Sequence, residues 1–349
     1  MSMPLLELCN ISRIFTRNDG VFDKLARRLA IGRPLENLVA VDNVSMVVNR
    51  GETVGIVGES GCGKSTLGRV AVQLLAPTSG KVCFEGKDIA TLPAEEARRA
   101  RFKLQMVFQN PYTSLNPRRR VGETVIEAAV AHGLVAKADA RDAAIEAMGR
   151  VGLKPDFIDR FPHALSGGQR QRVGIARALA VDPACVVFDE AVAALDVSIQ
   201  AQILELLVEL RQNSSFASVF ISHDLNVVRY IADRVVILYL GRVVETASTA
   251  TLFDNPHHPY SRALMAEAPQ LKAQKKTFTP IVGELPSPLS PPSGCQFHPR
   301  CPHAMPRCKT DQPMLRQLGD RHFSACHLEV GQGEEGRIEE AGKRKVVQA

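Results

Sequence analysis

One octapeptide constrains this chain more than any other feature. Gly58-Glu59-Ser60-Gly61-Cys62-Gly63-Lys64-Ser65 satisfies the pattern G-x-x-x-x-G-K-[S/T], with Thr66 following. It stands between the apolar run TVGIV and a stretch patterned as a helix from Lys64 onward. Strand, glycine-rich turn and helix in that order make a phosphate cradle. The glycines let successive backbone N–H groups aim at phosphate oxygens at a helix N-terminus. In that geometry Lys64 reaches the β- and γ-phosphates, and the Ser65 hydroxyl is a ligand for Mg²⁺. The strand before the loop is apolar without alternation, as a parallel strand covered on both faces must be.

The rest of the chain reads as an α/β fold around that loop. ACVVFDE (184–190) and ASVFISHD (217–224) are two more buried strands, separated by the amphipathic helix VSIQAQILELLVELRQ. Strand and helix in alternation predict a parallel sheet with right-handed crossovers. Residues 5–57 are short β-rich runs broken by a polar, Arg-containing insertion at 16–37. TSGKVCFEGKDI (78–89) reads as a hairpin, residues 121–180 as Ala-rich helices interrupted by FPHALSGGQ, and RVVILYLGRVVE (234–245) as a hairpin turning at Gly241-Arg242. After residue 255 the composition changes. NPHHPYSRALMAEAP carries one short helix, and the Pro-rich PIVGELPSPLSPPSG (280–294) is expected to run extended. A cysteine-rich segment and a polar, solvated tail follow.

Charge and composition exclude little. The net charge of +6 permits an anionic partner without indicating one, and aromatic residues are too sparse, with no Trp, to offer a base-stacking platform. No apolar stretch approaches the ~20 residues of a membrane-spanning helix. The first residues, MSMPLLELCN, lack the pattern of a secretory signal. A chain working on the cytoplasmic side is expected.

The remaining motifs carry the chemistry. Asp189 and Glu190 end an apolar strand, where Asp189 suits Mg²⁺ and Glu190 suits polarisation of an attacking water. Leu165-Ser166-Gly167-Gly168-Gln169 immediately precedes the helix-patterned RQRVGIARALA, so that Ser166 and the glycine backbone cap a helix whose positive end can face a phosphate. With the P-loop, Gln109, the Asp-Glu pair and His223 in this order, the chain resembles the ATP-binding cassette (ABC) ATPases. The resemblance implies a P-loop core of the RecA type, an antiparallel β subdomain and an α-helical subdomain at about 112–180, all within residues 1–254. It implies ATP hydrolysis in a head-to-tail dimer, each ATP held between one subunit's P-loop and the other's Ser166–Gln169 loop. Lys64, Gln109, Glu190 and His223 are then the catalytic set; Ser65, Gln109 and Asp189 the Mg²⁺ set; Gln109 also couples to a membrane partner. Ala194-Leu195-Asp196 resembles the segment that communicates across the dimer. Phe15 occupies the place of an adenine-stacking aromatic, with a strand-core role equally open. The chain reads DEAVAALD (189–196) where the family commonly has DEPTSALD, a change that could loosen the link from Glu190 to this segment.

The likeness extends to the C-terminal part. NPHHPYSRALMAEAP and GCQFHPRCPHAMPRC…ACH are similar to the extension of ATPase subunits from oligopeptide/dipeptide-type importers, a subfamily that includes nickel and sugar-related systems. This predicts an extension at 255–330 and a tail at 331–349, a paralogous or identical ATPase partner, two membrane permeases, an indirect solute-binding protein and no nucleic acid. The location is the cytoplasmic face of the inner membrane. Cys295, Cys301, Cys308 and Cys326 match neither common zinc-ribbon nor ferredoxin spacing. Zn²⁺ (with His298, His303 or His327 as substitute ligands), a [4Fe–4S] cluster and metal-free thiols all remain open, and the subfamily resemblance favours the cluster. Cys62, inside the P-loop at a helix N-terminus, is expected to have a lowered pKa and to be open to alkylation.

Overall fold

The computed structural model describes residues 3–16, 37–110, 114–214, 216–267 and 283–329. The insertion at 16–37, nearly all of it, and the tail at 331–349 lie outside the described residues, as does the start of the Pro-rich stretch.

Two sheets share one chain. β1 (Leu6–Thr16), β2 (Asn37–Val48), β4 (Ser79–Phe84) and β5 (Lys87–Asp88) form a four-stranded antiparallel sheet in the order β2-β1-β4-β5. The larger sheet carries β3 (Thr53–Val57), β6 (Leu104–Val107), β7 (Cys185–Asp189), β8 (Ala217–Ile221), β9 (Arg234–Tyr239), β10 (Arg242–Ser248), β11 (Arg316–Gly319) and β12 (His322–Ser324). Its order is β11-β12-β10-β9-β3-β8-β7-β6, and the five strands from β9 to β6 are parallel.

The central strands show why their sequences lack alternation. Every residue of β3, β7 and β8 is buried. Val186 and Phe188 of β7 join one apolar core, while Cys185 and Val187 join another on the opposite face. The second core is closed by α1 (Lys64–Ala71) and the small sheet, with α2 (Ala94–Phe102) at its margin. The first is closed by α3 (Val121–Ala131), α4 (Ala140–Arg150) and α5 (Gly167–Leu179), which pack on one another, and by α6 (Val197–Asn213) and α7 (Leu225–Ile231). Among the described residues no helix is long and apolar enough to cross a membrane.

Two details differ from the sequence reading. The β9–β10 hairpin turns at Leu240-Gly241, one residue earlier than expected, with φ of 43° and 80°. Both central positions of such a two-residue turn are left-handed, and Gly241 fills the second of them. The C-terminal part, after α8 (Thr249–Asp254) and α9 (Pro259–Glu267), also does more than follow the core. β12 pairs with β10, so the hairpin β11–β12 extends the main sheet, and α10 (Pro306–Thr310) lies in the cysteine-bearing segment between them. The turn falls at Asp320-Arg321, and Gly319-Asp320 between two polar-apolar runs was the available signal.

Candidate nucleotide site

Four parallel strands end at one edge of the sheet, and each delivers chemistry there, as open α/β sheets do. β3 leads into the glycine-rich loop, β6 toward Gln109, β7 to Asp189 and Glu190, and β8 to His223.

The loop's shape is set by contact. Gly63 has φ 100°, and a Cβ there would stand 2.0 Å from the Ala40 carbonyl oxygen of β2, so no other residue fits. Gly241 N–H donates to the Cys62 carbonyl, 2.9 Å, fixing the loop from the other side. α1 begins at Gly63 with no side-chain cap and no acidic residue in its first turn, which leaves its positive end uncompensated. Lys64 is buried and its Nζ donates to the carbonyls of Gly58, 2.7 Å, and Glu59, 2.9 Å. Ser60 and Gly61 lie exposed at the loop's outer side, and Thr66 is partly buried on α1. Glu59 turns to the C-terminal part of the chain.

Cys62 corrects an expectation. The thiol is fully buried, and burial pushes its pKa up; the Lys64 ammonium offsets only part of that. Desolvation of the thiolate outweighs the helix terminus here.

The acidic groups converge on the loop. Ser65 Oγ donates to Asp189 Oδ1, 2.6 Å, so two of the three expected Mg²⁺ ligands are adjacent, while the third, Gln109, is engaged with Glu190. Burial pushes the Asp189 carboxyl up, with Ser65 and Arg69 acting against it and the Glu190 charge adding to it. Glu190 sits in the left-handed region, φ 47°, held by its N–H on the Ile221 carbonyl, 3.0 Å. Gln109 Nε2 donates to Glu190 Oε2, 2.7 Å, and His223 Nδ1 stands 3.7 Å from the same oxygen. The histidine is placed locally: Asp224 caps α7 by accepting from Asn226 N–H at 2.8 Å, and its own N–H donates to Ser222 Oγ at 3.0 Å. Glu190 has a side chain only 16% exposed against 59% for His223, so the carboxylate is sheltered and the imidazole faces outward.

Ser166 and Gln169 form a reciprocal cap at the start of α5. Gln169 N–H donates to Ser166 Oγ, 3.3 Å, and Ser166 N–H to Gln169 Oε1, 3.0 Å. Gly167 lies against Leu195, and a Cβ on Gly168 would meet Ile199 Cγ2 at 2.5 Å, so this loop leans on the start of α6. Among the described residues no hydrogen bond or ion pair joins residues 166–169 to residues 58–66. The DEAVAALD segment is packed. Ala191 and Val192 are buried, and Ala193 N–H and Leu195 N–H close the turn on the carbonyls of Glu190 and Val192.

Phe15 is partly buried on β1, and the Arg13 guanidinium lies over its ring at 4.7 Å. One ring face is thus taken by a cation.

The four C-terminal cysteines are free thiols that line one cavity of about 10 Å³, together with His298, His303 and His327. Burial pushes Cys295 up to about 11 and Cys301 up to about 12. Two of the histidines are already engaged: His298 Nδ1 with the Cys295 carbonyl and His327 Nε2 with that of Asp311, both at 2.9 Å. Among the described residues no three ligand side chains stand close enough together to hold a metal ion, so geometry adds nothing to the metal expectation.

Comparison with known proteins finds two family profiles in succession along the chain. The ABC transporter family profile matches residues 41–193, and the profile of the oligopeptide/dipeptide transporter C-terminal region matches 244–308. The chain is 45% identical over 328 residues to the oligopeptide transport ATP-binding protein AppF of Bacillus subtilis, spanning 93% of this chain and 97% of that one. It is 50% identical over 290 residues to a putative peptide import ATP-binding protein of Brucella ovis, spanning 83% and 92%. With the dipeptide transport ATP-binding protein DppF of Haemophilus influenzae it shares 42% over 324 residues, 93% and 96% of the two chains. Among solved structures it resembles cbiO1 of Clostridium perfringens, part of the ABC transporter complex cbiONQ (TM-score 0.59, 26% identity, 73% of this chain and 92% of that one). It also resembles the dimeric ATP-binding cassette MJ0796 bound to ADP and Pi (TM-score 0.58, 29% identity, 70% and 98%).

Proposed function

Since this chain belongs to the ATP-binding subunits of ABC transporters, in their oligopeptide/dipeptide branch, we propose that it hydrolyses ATP to energise import of dipeptides or oligopeptides. The observation that carries the peptide reading is the extent of the likeness. It runs across nearly the whole length of relatives named for peptide transport and includes the C-terminal region.

The residues have the chemistry this requires. The uncapped start of α1 and the loop N–H groups suit phosphate oxygens, and Lys64 has only to exchange two carbonyls of its own loop for them. Ser65 Oγ and Asp189 form a hard-oxygen donor pair that fits Mg²⁺, which when bound neutralises charge developing between the β- and γ-phosphates. Glu190 takes the role of general base for the attacking water. Gln109 orients that carboxylate, and His223, beside it and outward-facing, is placed to meet the γ-phosphate.

Ser166–Gln169 serves the ATP of a second cassette, identical or paralogous, in a head-to-tail dimer, and the MJ0796 cassette is itself dimeric. Two permease subunits carry the pore, with this chain on the cytoplasmic face of the membrane and a solute-binding protein acting through the permeases. Peptide-loaded binding protein is expected to stimulate ATP turnover of the assembled transporter in proteoliposomes. Stimulation by nickel or a sugar, with none by peptides, would replace the substrate.

The reading extends to the thiol cavity. The four cysteines are soft donors of the kind an iron–sulfur cluster or Zn²⁺ takes, and since no three ligand side chains stand close enough together among the described residues, binding either would require the segment to rearrange. Anaerobic purification with iron and zinc quantification decides it: stoichiometric metal is expected, and a folded, metal-free protein would overturn it.

A further inference from the structure

We propose that Arg300 and Tyr260, both from the C-terminal part of the chain, are positioning residues for the P-loop: they clamp Glu59 and so set the loop's readiness for ATP.

The contacts are direct. Arg300 Nη1 donates to both carboxylate oxygens of Glu59, at 2.9 and 3.1 Å. The Tyr260 hydroxyl accepts the Glu59 backbone N–H at 2.9 Å. One loop residue is therefore held at its main chain and its side chain by two elements more than 200 positions away. Neither partner is a loose surface group. The Arg300 side chain is 7% exposed, and Tyr260, Tyr239 and Phe297 are fully buried against one another with ring centroids 4.7 to 5.3 Å apart. A sheltered, charge-assisted pair of this kind is strong, because breaking it leaves a charge without a partner.

The consequence runs through Lys64. Its ammonium rests on the carbonyls of Gly58 and Glu59, so the residue that Arg300 and Tyr260 fix also bears one of the two oxygens that hold the lysine. A loop already fixed loses little freedom when phosphate arrives, and preorganisation of that kind appears as affinity. Arg300 itself sits in the turn between Cys295 and Cys301, so whatever orders that segment also orders the clamp. This assignment rests on the ATPase reading.

The test uses the full-length chain, with Mg-ATP binding followed by a fluorescent ATP analogue and steady-state hydrolysis measured alongside. Arg300→Gln is expected to weaken binding and raise KM about tenfold while kcat changes less than about twofold. Tyr260→Phe is expected to do the same more weakly. Arg300→Lys should restore part of the affinity, because Nη1 alone makes both carboxylate contacts. Glu59→Gln combined with Arg300→Gln should be no worse than the more severe single variant, the non-additivity of a direct pair. Additive losses, or a lowered melting temperature with KM unchanged, would mean that the contact merely fastens the C-terminal part, and would overturn the proposal. A wild-type chain that binds no nucleotide would overturn the ATPase reading, and the clamp with it.

Discussion

The P-loop and the Ser166–Gln169 loop are both glycine-rich, both open a helix, and are built in opposite ways. The first is held from outside. β2, the β9–β10 turn, Arg300 and Tyr260 all press on it, and Lys64, Ser65, Asp189, Glu190, Gln109 and His223 gather beside it. The second is held by its own capping box and by its lean on Leu195 and Ile199, and among the described residues no hydrogen bond or ion pair joins it to Asp189, Glu190, Gln109 or His223. One chain thus gathers the acidic groups, Gln109 and His223 at one helix terminus and leaves the other, capped by Ser166 and Gln169, apart from them. The contrast is what the proposed head-to-tail dimer would use: a positive helix end set apart from the P-loop suits another chain's ATP.

Substitutions on the two sides should differ in kind. Lys64→Ala has the largest expected effect, a loss of Mg-ATP binding of at least about a hundredfold by isothermal titration, since the loop's one buried cation is removed. Ser166→Ala should leave binding by the single chain within about twofold and lower hydrolysis by the assembled dimer about tenfold. Equal binding losses in both variants would erase the distinction between the loops.

Acid sharpens the contrast from the C-terminal side. Burial holds His258 down to about 3, and its Nδ1 accepts from Tyr260 N–H at 3.1 Å. The unfolded chain takes up this proton near pH 6.5 and the folded one does not until about pH 3, so stability falls as pH drops through that window. At pH 5 the loss from this group is about 2 kcal/mol relative to pH 7. Thermal melts should show His258→Asn to be less pH-dependent over that range, and an unchanged slope would remove His258 as the cause. The smallest effect concerns Cys62: iodoacetamide under native conditions should leave it unmodified by mass spectrometry, because the thiol is buried and its pKa raised.

What the sequence made legible follows from how local each signal is. The P-loop, the Ser166 cap and the buried strands β3, β7 and β8 are encoded within a few adjacent residues, and all three were readable. The β11–β12 hairpin was missed because three- and four-residue strands carry too little pattern, and their pairing with β10 depends on residues some 80 positions away. The clamp on Glu59 was unreadable for the same reason: HPRC says nothing about which carboxylate Arg300 meets. Cys62 misled because a helix terminus is visible in sequence, whereas the burial that outweighs it is a property of the packed chain. The turn at Leu240-Gly241 was displaced by a single residue, since one glycine can serve either central position.

Glu190, proposed as the base of an ATP-hydrolysing centre at the ends of β3, β6, β7 and β8, is the residue on which the proposed chemistry turns. Glu190→Gln tests it most directly, with Mg-ATP affinity and hydrolysis measured on the same preparation. If Glu190 is that base, affinity stays within about threefold of wild type and hydrolysis falls at least about a hundredfold. Hydrolysis near the wild-type rate in that variant would contradict it.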